Sequence, residues 1–304
     1  IHNYLFKFET LIQYKIIFTN MRSIFFTILF LASYFNYSQI KTPRVSPASA
    51  IEQMVGLTEI EVEYSRPSKR GRDIFGNVVP FGKIWRTGAD NCTTISFSTD
   101  VVINSQTIKS GKYSIFSIPN KESWEVMLYS DTDLWGVPKD FDKNKVVFKS
   151  SFKLNKSGIN SIHETFTISF DNITNNDANM TFSWDDVSVS VNINVPTKKI
   201  VSDNIKEVMS GSPSPSDYYS AAVYYKQENM NLDTALKWIN EAIDLFENPR
   251  FYQLRQQSLI MAANKKYSDA IVVAKESLKL SIEADNKDYV KMNKESISEW
   301  TNKL

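Results

Sequence analysis

Between Arg66 and Asn91 the chain gathers side chains with the chemistry to hold a ligand. Arg66, Lys69, Arg70, Arg72, Lys83 and Arg86 are offset by one acid, Asp73, before Asp90 and Asn91 close the segment. Gly71, Gly76, Gly82 and Gly88 punctuate the run, and Phe81 and Trp85 add flat apolar rings. Glycine tolerates left-handed backbone and lets other groups approach the main chain. Turns of that kind present N–H groups, and guanidinium groups beside them form a cradle for carboxylate or phosphate. An indole face alongside suits a sugar or an aromatic ring.

Arg66, Arg72, Lys83, Trp85, Arg86, Asp90 and Asn91 are therefore candidate ligand-binding residues. Trp135, in the stretch DTDLWGVP (131–138), joins them if that loop lies at the same end of the fold. A structural alternative stands beside this reading. Phe81, Ile84 and Trp85 could plug an open end of a core, with Arg66 and Arg86 paired to Asp73 and Asp90 to lock the loop.

Catalytic patterns are sparse. His163 is the only histidine after residue 38, so a Ser-His-Asp arrangement would have to use it, and no Gly-x-Ser-x-Gly elbow supplies the serine. Zinc held by several histidines is excluded by count, and no cofactor motif is read. Asp131-x-Asp133 lacks the glutamate that completes a calcium loop at its twelfth place, where Asp142 stands. Loop carboxylates near Trp85 and Trp135 leave open a hydrolase acting on a glycan or peptide.

These loops must be carried by strands. Apolar and polar residues alternate at Ile60, Val62 and Tyr64, at Ile95 and Phe97, and at Trp124, Val126 and Leu128. The pattern returns at Phe166, Ile168 and Phe170, at Met180, Phe182 and Trp184, and from Val187 to Val195. Turn signals separate the runs, among them Asn104-Ser105, Pro119-Asn120 and Ser157-Gly158. Period-two segments of this kind predict an antiparallel β-sandwich, jelly-roll-like, over 44–196. The span 197–215 reads as a linker, with Gly, Ser and Pro alternating from Gly211 to Ser216.

From 216 to 304 the period becomes helical, with Ser216 and Asp217 as the expected N-cap. Asp233-Thr234-Ala235-Leu236 is echoed by Ser268-Asp269-Ala270-Ile271, which resembles a degenerate tetratricopeptide pattern. A last helix, Lys287 to Lys303, would cap the stack. The grooved face of such hairpins is a candidate surface for a protein partner.

Net charge is +1, which gives no long-range pull toward nucleic acid. Met21-Arg22, an apolar run from Ile24 to Phe35 and a small residue at Ser38 together predict a cleaved secretory signal over 21–38. Residues 1–20 read as upstream sequence outside the mature product. The apolar run is short for a membrane span, so none is expected after cleavage. Cys92 is the only cysteine, so there is no internal disulfide and no lipid-modified cysteine at the cleavage point. The expected location is secreted or periplasmic.

Several ordered motifs resemble a known family: Pro43-Arg44-x-Ser46-Pro47, Tyr64-Ser65-Arg66-Pro67, Arg70-Gly71-Arg72-x-Ile74-Phe75-Gly76, Val79-Pro80-Phe81-Gly82, Trp85-Arg86-Thr87-Gly88-Ala89-Asp90 and Gly111-x-Tyr113-Ser114. They are similar to those of the secreted Bacteroidota domain of unknown function 2911 family, over about 44–196. The resemblance implies export and a β domain, and it brings no activity with it. Family members often carry Asn after the Trp-Arg-Thr-Gly-Ala run, where this chain has Asp90 followed by Asn91. The function expected is a non-enzymatic one: binding a small anionic or sugar-like ligand on the β domain, and a partner on the helices. The hydrolase above and a purely structural envelope role are the alternatives.

Overall fold

The computed structural model describes Met21, residues 42–156 and residues 162–304. Apart from Met21, the upstream sequence and signal expected over 1–38 lie outside the described residues, as does the Ser157-Gly158 turn. No helix among the described residues is long and apolar enough to cross a membrane.

The alternating segments form strands. In chain order they are β1 (Ala48–Val55), β2 (Thr58–Ser65), β3 (Thr94–Phe97), β4 (Val101–Ile103), β5 (Gln106–Ile108), β6 (Gly111–Pro119), β7 (Ser123–Tyr129), β8 (Val146–Lys156), β9 (His163–Asp171), β10 (Asp177–Asp185) and β11 (Val187–Asn194). All named pairings are antiparallel, in the order β1-β2-β3-β6-β7-β8-β11-β10-β9. The strand β8 carries the sheet from one layer to the other. Its first part pairs with β7, and Leu154 to Lys156 pair with β11.

The two layers expected of a sandwich are stitched at their far side into a nearly closed barrel. Beyond β2 the chain continues beside β9, with Ser68 opposite Thr165. Phe166 N–H donates to Pro67 O at 2.9 Å and Lys69 N–H to Glu164 O at 2.6 Å. Closure removes a row of unpaired backbone groups that an open sheet edge would present. Ile60, Val62, Ile95, Ile115, Trp124, Phe166, Phe182 and Trp184 fill the interior.

Helices follow: α1 (Thr197–Met209), α2 (Pro215–Gln227), α3 (Leu232–Leu245), α4 (Phe251–Ala263), α5 (Tyr267–Glu283) and α6 (Lys287–Thr301). Within the span read as linker, 197–215, most residues are therefore helical. The Gly-Ser-Pro run is a turn between α1 and α2. The cap of α2 falls at Ser214 rather than Ser216. Its hydroxyl accepts from Asp217 N–H while the Asp217 carboxylate accepts from Ser214 N–H, a reciprocal box with Pro215 at the first helical position. Ala235 on α3 and Ala270 on α5, the repeated small residues, are both fully buried. Trp300 of α6 covers Ala270, Ile271 and Ala274.

Hydrogen bonds join barrel and helices at the β1–β2 turn and at the β9–β10 turn. Leu57 N–H donates to Thr197 Oγ1 at 3.3 Å. Asn175 and Asn176, in the β9–β10 turn, donate to the two carboxylate oxygens of Glu228 at 2.7 and 2.6 Å.

Candidate functional site

The segment 82–88 runs beside the second half of β6, where β3 has ended. Gly82 N–H donates to Pro119 O at 2.9 Å, and Trp85 and Ser117 exchange backbone bonds of 2.7 and 2.9 Å. A segment paired this way alternates its side chains between faces. Trp85 turns inward and Thr87 is fully buried, its hydroxyl 2.9 Å from Ser117 Oγ. Ile84 packs on the outer face, against Phe116 and Tyr129.

Trp85 thus plugs the core. Its ring stacks on Trp184 at 5.9 Å and meets Phe166 at 5.2 Å and Trp124 at 5.8 Å edge-on. Its Nε1–H donates to Gly88 O at 3.0 Å, so the indole is satisfied both apolarly and polarly. Phe75 completes the cluster. The plugging role expected of Trp85 is the one the structure gives it; Phe81 instead stays on the surface, 38 % exposed.

The cations separate. Arg66 Nε–H donates to Phe166 O at 3.1 Å and Nη2–H to Thr167 Oγ1 at 2.8 Å, sealing the β9 seam. Arg72 folds back on its own turn, donating to Lys69 O at 2.9 Å and Ser68 O at 2.6 Å. Lys69 forms an ion pair with Asp185. Among the described residues neither Arg66 nor Arg86 pairs with Asp73 or Asp90, which corrects that expectation. The lock is made of carbonyl and hydroxyl acceptors: the closing strand offers unfilled backbone oxygens just where the guanidinium groups reach. Lys83 is exposed and Asn91 is exposed, while Asp90 sits with a left-handed φ of 54°.

Arg86 is the exception. It lies against Gly136, and its Nη1–H reaches the Trp135 carbonyl at only 3.5 Å. Its Nε is buried with no hydrogen-bond partner. A cationic donor left without an acceptor away from water is costly. Beside it the Trp135 side chain is 69 % exposed. The two loops expected to meet do meet: Cys92 N–H donates to Leu134 O at 2.8 Å and its Sγ–H to Gly136 O at 3.2 Å. Burial pushes the Cys92 thiol up to about 11, the charge of Arg86 opposing in part. It is an inert thiol in this setting.

Of the predicted residues, only Arg86 and Trp135 are therefore brought together. Trp85 lies inside the barrel and Trp135 outside it, so the two do not frame one cleft. Asp131 is held by Lys145 at 2.7 Å, and no group of three or more His, Cys, Asp or Glu among the described residues could hold a metal. Cys92, Leu134 and Gly136 were not among the predicted site residues. A signal for them existed: Val126-Met127-Leu128-Tyr129 is continuously apolar, which marks a strand covered on both faces. The cover is the loop from Asp131 to Val146, whose Leu134 and Phe141 pack on Met127 and Tyr129.

Residues 46–193 match a family model described as a protein of unknown function (DUF2911). No curated protein and no solved structure matches the chain.

Proposed function

We propose that this chain, whose β domain belongs to the DUF2911 family, is an exported, non-enzymatic binding protein. Its β domain takes a small anionic or sugar-like ligand at the corner between Arg86 and Trp135, and its helices serve a partner. The observation that carries the reading is the buried, unpartnered Nε of Arg86 beside an exposed indole. The guanidinium supplies charge and direction, and the ring supplies a flat surface. Two charge-assisted bonds contribute about 3–6 kcal/mol before ordering costs, which suits affinities from millimolar to micromolar.

Titration calorimetry of the full chain against uronic acids, simple organic acids and inorganic phosphate tests it. At least one compound is expected to bind, about tenfold more weakly in Arg86→Gln and a few-fold more weakly in Trp135→Ala. The reading fails if nothing binds, or if every affinity found is indifferent to both substitutions. Export is checked separately, by fractionating cells that express the full chain and sequencing the N-terminus of the product. A start near residue 39 is expected; an intact residue 21 on a cytosolic product would refute export.

A further inference from the structure

Away from the β domain, the helices carry a second set of polar groups with nothing to bind. The first helices of successive hairpins, α2 and α4, contact each other, and α4 contacts the capping helix α6. Each contributes a tyrosine: Tyr219, Tyr252 and Tyr289. Phe251 ties two of them together, its ring 5.7 Å from Tyr252 and 4.8 Å from Tyr289, edge-on to both. Tyr219 is half-buried on α2 with its ring 6.4 Å from that of Phe246, and its phenol is pushed up to about 12, by burial first and then by Tyr289 and Tyr252.

Arg255 sits one helical turn after Tyr252 and is only 8 % exposed. Its Nη1–H donates to Asn293 Oδ1 at 3.3 Å. Asn293, one turn after Tyr289, donates to Ser277 Oγ at 2.9 Å, and Ser277 in turn donates to Phe251 O at 2.7 Å. This relay fixes one edge of the guanidinium. Its other N–H groups have no protein acceptor among the described residues, and neither do the three phenolic hydroxyls. No carboxylate pairs with Arg255. Glu295, whose charge favours the cation, lies 4.0 Å from Lys291 instead. The cluster therefore presents one guanidinium and three hydroxyls from three helices, with no carboxylate to match the cation. None of these atoms is among the buried side-chain atoms left without a partner, so they face water, where an incoming acceptor can reach them.

We propose that the face built by α2, α4 and α6 is a carboxylate-binding site, with Arg255 as its charged donor and the hydroxyls of Tyr219, Tyr252 and Tyr289 as neutral donors around it. A single planar cation flanked by uncharged phenols suits a planar monoanion. A phosphate dianion would be left half-compensated by one cation. The carboxylate can come from a free organic acid or from a peptide, and the same group would recognise either. The site is on a different domain from Arg86 and stands whether or not that corner binds anything.

The test is calorimetry on the full chain at low salt with acetate, succinate, inorganic phosphate, and an alanine pentapeptide carrying either a free or an amidated C-terminus. A carboxylate is expected to bind at least fivefold more tightly than phosphate. Tyr252→Phe/Tyr289→Phe keeps the rings and their packing and should weaken binding at least fivefold. All titrations use the Arg86→Gln background, which removes the β-domain corner from the readout, and there Arg255→Gln should abolish binding. Binding of the free-acid peptide without the amide or acetate assigns a peptide terminus; binding of acetate or succinate alone assigns a small acid. Either upholds the class. If Arg255→Gln does not fold, the double phenylalanine variant decides. The proposal is overturned if no carboxylate binds, if phosphate is preferred, or if the double variant binds as the parent does.

Discussion

Two regions of this molecule differ in how much charge they carry and in how far that charge is matched. The crossover from Arg66 to Arg86 is crowded with cations, yet most of them are occupied: Arg66 by the Phe166 carbonyl and Thr167, Arg72 by its own turn, Lys69 by Asp185. The helical face around Arg255 has one guanidinium, no conspicuous motif, and donors left over. Density of charge therefore does not locate a site. What locates one is the mismatch between buried donors and the acceptors within their reach, and in the crossover such a donor remains at Arg86.

The largest way to break this contrast is at Trp85. If the indole is a plug, Trp85→Ala costs about 3–5 kcal/mol of stability, read from denaturant melts, because it empties the aromatic centre of the barrel. Trp135→Ala in the same assay should change stability by less than about 0.5 kcal/mol. Equal losses at the two tryptophans would erase the distinction between plug and exposed face. Next comes Gly56, at φ 55°, where an added Cβ would collide with Thr197 Oγ1 and the Asn175 carbonyl oxygen. Gly56→Ala is expected to cost about 2–4 kcal/mol, from backbone strain and overpacking together.

Arg66→Met sharpens the comparison further. Losing two bonds at the β9 seam should cost about 1–3 kcal/mol, and a neutral result would mean the crossover is not locked through that residue. A gentler decline is expected with alkali. Burial raises the Cys92 thiol from 9.0 to about 11 and the Tyr219 phenol from 10.0 to about 12. Above its unfolded pKa each group holds its proton more firmly in the folded state than in the unfolded one, so unfolding releases protons and stability falls as pH rises. Urea melts should show loss between pH 9 and 11 that Cys92→Ala reduces, and between pH 10 and 12 that Tyr219→Phe reduces. An unchanged midpoint across pH 8 to 12 contradicts both assignments. Smallest of all is Lys83→Ala, whose exposed ammonium has no partner among the described residues. It should lie within about 0.5 kcal/mol of the parent.

The strands were legible where one face is wet, as at Ile60, Val62 and Tyr64 or at Phe182 and Trp184, because alternation records a half-buried surface. The strand β1 was not, since its alternation runs between exposed and half-buried residues rather than against the core. The segment 82–88 was hidden by its glycines, although Ile84 and Trp85 do alternate once it is seen to pair with β6. Closure of the sheet depends on Pro67 meeting Phe166, a long-range pairing that no local pattern announces. The same holds for the sites. Arg86 and Trp135 were named from residue type, but Gly136 matters through its contact with Arg86, and Arg255 through what it lacks; both are properties of neighbours in space.

The clasp between Glu228 and the two asparagines of the β9–β10 turn bridges elements on either side of the Gly-Ser-Pro turn at 211–213. Before that turn, α1 follows directly on the barrel's last strand, while its Val201, Ile205 and Val208 adjoin Ala221 and Tyr224 of α2. A protease that severed the peptide at 211–213 would therefore leave two fragments still gripping each other, migrating as one particle until denaturant is added.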